Sequence, residues 1–163
     1  RTIIDIGGQD AKAIRLDENG LVQQFAMNDK CAAGTGRFLE VMARVMETSL
    51  SELQDWDDKA RSVAHVSSTC TVFAESEVIS LLSAGTPKAD IIAGVHKSVA
   101  SKASSLVYRI GLQEDVVMSG GVAQNHGVVK ALEHELKTHV QVAPNPQIVG
   151  ALGAALYAYE SQI

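Results

Sequence analysis

Cysteine, proline and aromatic residues are scarce in this sequence: two cysteines, three prolines and one tryptophan in 163 residues, with Phe, Trp and Tyr together at 4%. The two cysteines lie 39 positions apart without CxxC spacing, which argues against a disulfide-built scaffold and leaves thiols that are reactive, metal-binding or buried. A surplus of basic charge is also missing. The 14 Lys and Arg are outnumbered by 19 Asp and Glu, for a net charge of −5 with no basic run. That balance argues against nucleic acid or an anionic membrane as the main partner. No apolar run approaches the roughly 18 residues of a spanning helix, and no charged-then-apolar leader opens the chain, so the expected location is the cytoplasm. Repeats, low-complexity tracts and linkers are absent too, and residues 1–163 read as a single domain.

What is present suits a packed core. Apolar residues make up 46% of the chain and the mean hydropathy is +0.07, enough to bury one sizeable interior. "TIIDI" is β-branched and bounded by Gly7 and Gly8, "AKAIRL" alternates, and "LVQQFAM" follows the turn "DENG". Three close strands on short turns predict an antiparallel meander. The period then becomes helical: Phe38, Leu39, Met42, Val45 and Met46 form one apolar stripe starting just after Gly36. Ser49 and Glu52 have capping-box spacing before another helix. Helices are predicted over 71–84, ended by Gly85, and over 88–110, ended by Gly111. "DVVMSGG" reads as a buried strand, "AQNHGVVKALEHELK" as a helix, "VQVA" as a strand and "IVGALGAALYAYES" as a closing helix. This order is that of one α/β lobe of the actin, hexokinase and Hsp70-like (ribonuclease H-like) ATPase fold, a mixed sheet with a three-strand antiparallel meander plus helices. By order alone, other α+β domains fit it as well.

Two glycine motifs carry candidate chemistry. In "DIGGQDAK" a strand ends in Asp5, followed by Gly7 and Gly8, then Gln9, Asp10 and Lys12. A carboxylate at a strand end can hold a Mg²⁺-bound water or orient an attacking one, Gln9 can position it, and glycine amides can meet phosphate oxygens. A tight hairpin turn explains the same residues without chemistry. In "MSGGVAQN", Gly120 and Gly121 permit flat approach of a ribose or adenine, with free amides on the helix behind. An ordinary strand-to-helix turn is the plain alternative.

The cysteines stand in similar surroundings. Cys31 precedes "AAGTG" and the helix beginning near Arg37, and Cys70 ends "SSTC" immediately before the next helix. Each is expected at or near a helix N-terminus, where unpaired amides and the dipole favour a thiolate and any anion bound there. A lone cysteine is more often a small buried hydrophobe. Two thiolates do not complete a tetrahedral sulfur site, and the five histidines show no partner spacing. A second copy of the chain would supply the missing two ligands around a two-fold axis.

Through "DIGGQDAK", "MNDKCAAGTGRFL", "SSTCTVFAESEVIS", "DIIAGVHKSVASK", "VVMSGGVAQN" and "GALGAALYAYE", essentially the whole chain resembles the ATPase activators (component A) of 2-hydroxyacyl-CoA dehydratases. That family is shared with the ATPase subunits of benzoyl-CoA reductase. The resemblance implies a homodimer holding one 4Fe-4S cluster between subunits, here through Cys31 and Cys70, each opening a helix aimed at it. It implies ATP or ADP with Mg²⁺ as nucleotide. It also implies one low-potential electron passed from ferredoxin or flavodoxin to the dehydratase component, where it generates a ketyl radical. By matching position, Asp5 and Gln9 are the catalytic candidates. Gly7, Gly8, Asp10, Lys12, Gly34, Thr35, Gly36, Gly120, Gly121, Val122 and Asn125 are the nucleotide-binding candidates.

One departure is that the family's first phosphate loop, a "DxGS/T" turn on an opening strand, has no counterpart here. The chain begins almost inside a strand without an initiator methionine, and is expected to be the C-terminal lobe of a longer activator, inactive alone in ATP hydrolysis. Three other readings are an ATPase subunit of benzoyl-CoA reductase, a sugar-kinase-like phosphotransferase, which needs neither cysteine, and a nucleotide-dependent scaffold with structural thiols. Of the smaller features, at least one of Glu75 and Glu77 is expected at the surface, "KSVASKASS" suits close helix packing, and Trp56 is expected as a half-buried anchor.

Overall fold

The structure is a computed structural model and describes residues 1–161; the last two positions of the expected domain, 162 and 163, lie outside the described residues. The predicted meander is present as β1 (Thr2–Ile6), β2 (Ala11–Leu16) and β3 (Val22–Asn28), joined antiparallel. Two later strands, β4 (Val116–Ser119) and β5 (Val140–Val142), add in parallel beyond β1, so the sheet order is β3-β2-β1-β4-β5. β1 thus sits at the centre, with Thr2, Ile4 and Ile6 buried and Ile3 and Asp5 on the other face. In this register Asp5 is flanked by Lys12 on one side and Ser119 on the other.

The helices are α1 (Gly36–Val45), α2 (Leu53–Asp57), α3 (Thr71–Ser83), α4 (Lys88–Ile110), α5 (His126–Leu136) and α6 (Val149–Glu160). The stripe on α1 is buried at Phe38, Leu39 and Met42. α4 is the core's spine: Ile91, Val95, Val99, Ala103, Leu106 and Ile110 are buried at helical spacing. Ser49 and Glu52 form the capping box, the Ser49 amide donating to the Glu52 carboxylate at 2.8 Å and the Glu52 amide to Ser49 Oγ at 3.3 Å. Trp56 is half-buried, with the ammonium groups of Lys59 and Lys88 at 4.7 and 5.3 Å from its ring centre.

One element differs from the sequence expectation. The helix read through "AQNHGVVKALEHELK" is broken: a 3-10 turn, Gly121–Gln124, precedes α5, and Asn125 between them has extended backbone. The Asn125 side chain accepts from the Val128 amide at 3.1 Å and so caps α5, a bond that competes with helix continuation. The closing helix α6 forms as expected but has no buried residue.

Asp90, in the first turn of α4, ties down the preceding connector. Its carboxylate accepts from the Ser62 hydroxyl at 2.7 Å and from the Arg61 and Ser62 amides at 2.8 and 3.2 Å. Those bonds, the Ser62 hydroxyl first, hold its carboxyl below the ordinary 3.8. A depressed folded value means that the stabilisation is complete above the unfolded pKa and is lost as pH falls through the folded one. Asp90→Asn is therefore expected to lower the denaturation midpoint at pH 7, and the gap from wild type should close below about pH 4. A gap that stays constant down to pH 3 would remove this role.

Candidate functional site

The turn after β1 and the turn after β4 open on the same side of the sheet, because the two strands are parallel neighbours. Between them lies a cleft of about 640 Å³ whose lining includes Gly7, Gly8, Gly36, Gly121, Val122 and Asn125. Six of the nucleotide candidates therefore converge there. Gly34 and Thr35 do not line it, and Asp5, Asp10 and Lys12 lie outside its lining, next to the Gly7–Gly8 turn in sequence. Thr35 is fully buried, its hydroxyl donating to the Ala32 carbonyl at 2.6 Å, so it shapes the loop. Gly120 stands behind the wall, its amide donating to the Pro146 carbonyl at 2.9 Å. Gln9 is exposed at the hairpin tip beside Gly8.

The mouth of α1 corrects one expectation. Its first amides do not wait for an anion: the Gly36 amide donates to the Gly7 carbonyl at 2.9 Å and the Arg37 amide to the Gly8 carbonyl at 2.8 Å. They fasten the helix to the glycine turn and so form the cleft's floor.

Deeper along β1, Asp5 is half-buried between cross-strand neighbours. Ser119 Oγ donates to one carboxylate oxygen at 2.8 Å, and the Lys12 ammonium lies 3.3 Å from the other. The same ammonium pairs with Asp10 at 2.5 Å. Two carboxylates converging on one cation make an oxygen donor set of the kind that suits Mg²⁺, which keeps several waters and takes one or two carboxylates plus phosphates. Asn125, at the far edge, is spent locally: its amide nitrogen lies 3.3 Å from Nε2 of the fully buried His96.

The cysteines occupy a different edge. Cys70 is the N-cap residue of α3, with extended backbone. Cys31 does not open a helix, contrary to expectation; it lies five positions before α1, whose N-cap is Thr35. Its sulfur instead faces the loop of the other cysteine, with Sγ 3.8 Å from the Thr69 carbonyl. Both thiols are free and half-buried. The 67–69 loop is held from two sides, by Glu77, which accepts from the Ser67 amide at 2.6 Å, and by Ser98 of α4, whose hydroxyl donates to the Ser67 carbonyl at 3.1 Å. Val72 and Phe73, next to Cys70, are well exposed at 65% and 63%. Among the described residues no group of three or more His, Cys, Asp or Glu is placed to hold a metal ion.

Three cleft residues are not singled out from the sequence: Leu39 reads as part of the core stripe, Gln124 lies within "MSGGVAQN" without a role of its own, and Gln147 belongs to no motif. His96 lies 29 positions from Asn125, beyond any local pattern.

A sequence model of the BadF/BadG/BcrA/BcrD ATPase family matches residues 1–158. The chain belongs to this family. Within it, the chain is 70% identical over 161 residues to the activator of lactoyl-CoA dehydratase from Anaerotignum propionicum, covering 99% of this chain and 62% of that protein. It is 59% identical over 159 residues to the (R)-2-hydroxyglutaryl-CoA dehydratase activating ATPase of Acidaminococcus fermentans, covering 98% of this chain and 61% of that one. The solved activator of 2-hydroxyisocaproyl-CoA dehydratase from Clostridium difficile, with bound ADPNP, superposes with a TM-score of 0.94 at 58% identity. It covers 99% of this chain and 60% of that one. This family member thus spans about three fifths of the length of the curated relatives it matches. Its fold class is that of the actin, hexokinase and Hsp70-like ATPases. No helix among the described residues is long and apolar enough to cross a membrane.

Proposed function

We propose that this chain is the C-terminal lobe of an ATP-dependent iron-sulfur activator that delivers a low-potential electron to a 2-hydroxyacyl-CoA dehydratase in the cytoplasm. The observation that carries the nucleotide half is the convergence of two strand-end glycine turns on one cleft beside a carboxylate pair. Gly7, Gly8 and Gly121 give the phosphates and ribose flat backbone to approach, Asp5 and Asp10 hold the Mg²⁺ of the nucleotide, and Gln9 orients the attacking water. Relatives at 59–70% identity are named dehydratase activators, which favours that partner over a sugar or a scaffold role.

The thiols support the electron-transfer half. Two free, partly exposed thiols on adjoining loops, one of them at the N-cap position of a helix, fit half of a 4Fe-4S ligand set. The exposed Val72 and Phe73 beside Cys70 suit coverage by a second copy, which would bring the other two sulfurs in a homodimer. When bound, the cluster supplies a single-electron carrier, reduced by ferredoxin or flavodoxin. Cys31 and Cys70 would hold it from this chain, and Glu77 and Ser98 tether the loop before Cys70 through Ser67.

Anaerobic purification of the full-length protein with iron and sulfide analysis tests this reading. Brown protein with about two irons per chain is expected. Colourless protein that iron and sulfide do not reconstitute would overturn it.

A further inference from the structure

Lys12 is placed where a strand lysine is not usually found, with its side chain 27% exposed and turned onto two carboxylates. Three adjacent strands set the row at one register level: Lys12 on β2, Asp5 on β1 and Ser119 on β4. Ser119 occupies one oxygen of Asp5 and leaves the other to the lysine. Asp10 is brought over by the turn itself, the Gly7 amide donating to the Asp10 carbonyl at 2.9 Å. A Cβ at residue 7 would stand 2.7 Å from an Asp10 carboxylate oxygen, so a larger residue there would push the Asp10 side chain aside. The hairpin is built to bring two like charges together, and one tethered cation keeps them there.

We propose that Lys12 is a built-in counter-ion: its ammonium holds Asp5 and Asp10 together in the absence of a divalent cation, and the Mg²⁺ of an entering nucleotide takes its place by displacing it. This rests on the nucleotide reading of the cleft. The ammonium is paired with both carboxylates at once, so it occupies the oxygens that a divalent ion would need. A divalent ion brings twice the charge and a small radius to the same oxygens, and also gains the phosphates that arrive with it. The freed lysine, on its flexible four-carbon stem, then becomes a point charge available to those phosphates. Binding of bare metal is weakened by the competition, and binding of metal with nucleotide is favoured, so the cleft does not fill with ion alone.

The test is Mn²⁺ binding to nucleotide-free, full-length protein, read from the loss of the free-ion EPR signal. Lys12→Met is expected to tighten Mn²⁺ about tenfold, Lys12→Arg to stay within about threefold of wild type, and adding Asp5→Asn to Lys12→Met to abolish the gain. Unchanged or weaker Mn²⁺ binding by folded Lys12→Met overturns the proposal. If Lys12→Met does not fold, wild type decides: Mn²⁺ should accelerate acylation of the Lys12 amine, followed by mass spectrometry, and unaltered labelling overturns the proposal. Binding of a fluorescent ADP by wild type separates the two levels. If wild type binds nucleotide but Lys12→Met gains no Mn²⁺ affinity, only the counter-ion role falls; if wild type binds no nucleotide, the cleft reading falls with it.

Discussion

Gly120→Ala is expected to destabilise the protein by at least about 3 kcal/mol, whereas Gly121→Ala beside it is expected to cost less than about 1 kcal/mol. Gly120 has φ +86°, where an L side chain is strained, and a Cβ there would lie 2.2 Å from the Ile6 carbonyl oxygen and 2.6 Å from its carbon. Those are backbone atoms of the central strand, which cannot swing away as a side chain would. Relief requires the end of β4 to part from the end of β1, and that junction is the wall of the cleft. At Gly121 the nearest atom to an added methyl is the Gln147 amide nitrogen at 3.7 Å, an ordinary contact. Because Gly121 lines the cleft, its alanine variant should keep its melting point and lose nucleotide affinity instead. Denaturant unfolding of the two variants with a nucleotide titration checks both; equal midpoints for Gly120→Ala and wild type would refute the packing described here.

Cys70→Ala, in the full-length protein purified without oxygen, is expected to remove essentially all iron and to leave a monomer. The reason is ligand count: a cluster with two sulfurs from each chain loses two of its four ligands when one position is changed in both copies. Cys31→Ala is expected to do the same, although the two residues differ in setting, one at the N-cap position of α3 and the other in the loop before α1. His65→Ala is the control. His65 is exposed and five positions from Cys70, and its variant should keep its iron. Iron analysis with sedimentation reads all three, and a Cys70→Ala dimer still carrying about two irons per chain would rule out the shared site.

Local signals account for what was legible in advance. Gly85 and Gly111 mark the ends of α3 and α4, and the Ser49–Glu52 spacing marks its capping box, because each depends on neighbours within a few residues. The meander follows from strands joined by short turns. The pairing of β1 with β4 joins residues more than a hundred positions apart, and only the fold class anticipated it. The corrections have the same origin. "CAAGTGRF" resembles an open helix mouth until the Gly7 and Gly8 carbonyls, nearly thirty residues away in sequence, are seen to take the α1 amides. Asn125 breaks a strongly helical pattern because a single side-chain cap outweighs continuation, and Cys31 belongs with the loop before α3 because Thr69 approaches it from a distant segment. The pairing of Lys12 with Asp5 follows from strand register, which places the two opposite each other.

The most direct test of the proposed electron transfer is to follow the EPR signal expected of a reduced cluster in the full-length protein mixed with a 2-hydroxyacyl-CoA dehydratase. The signal should persist without nucleotide and disappear on addition of MgATP, as the electron leaves for the partner. Loss of the signal without nucleotide, or its indifference to MgATP, would contradict an ATP-driven electron donor.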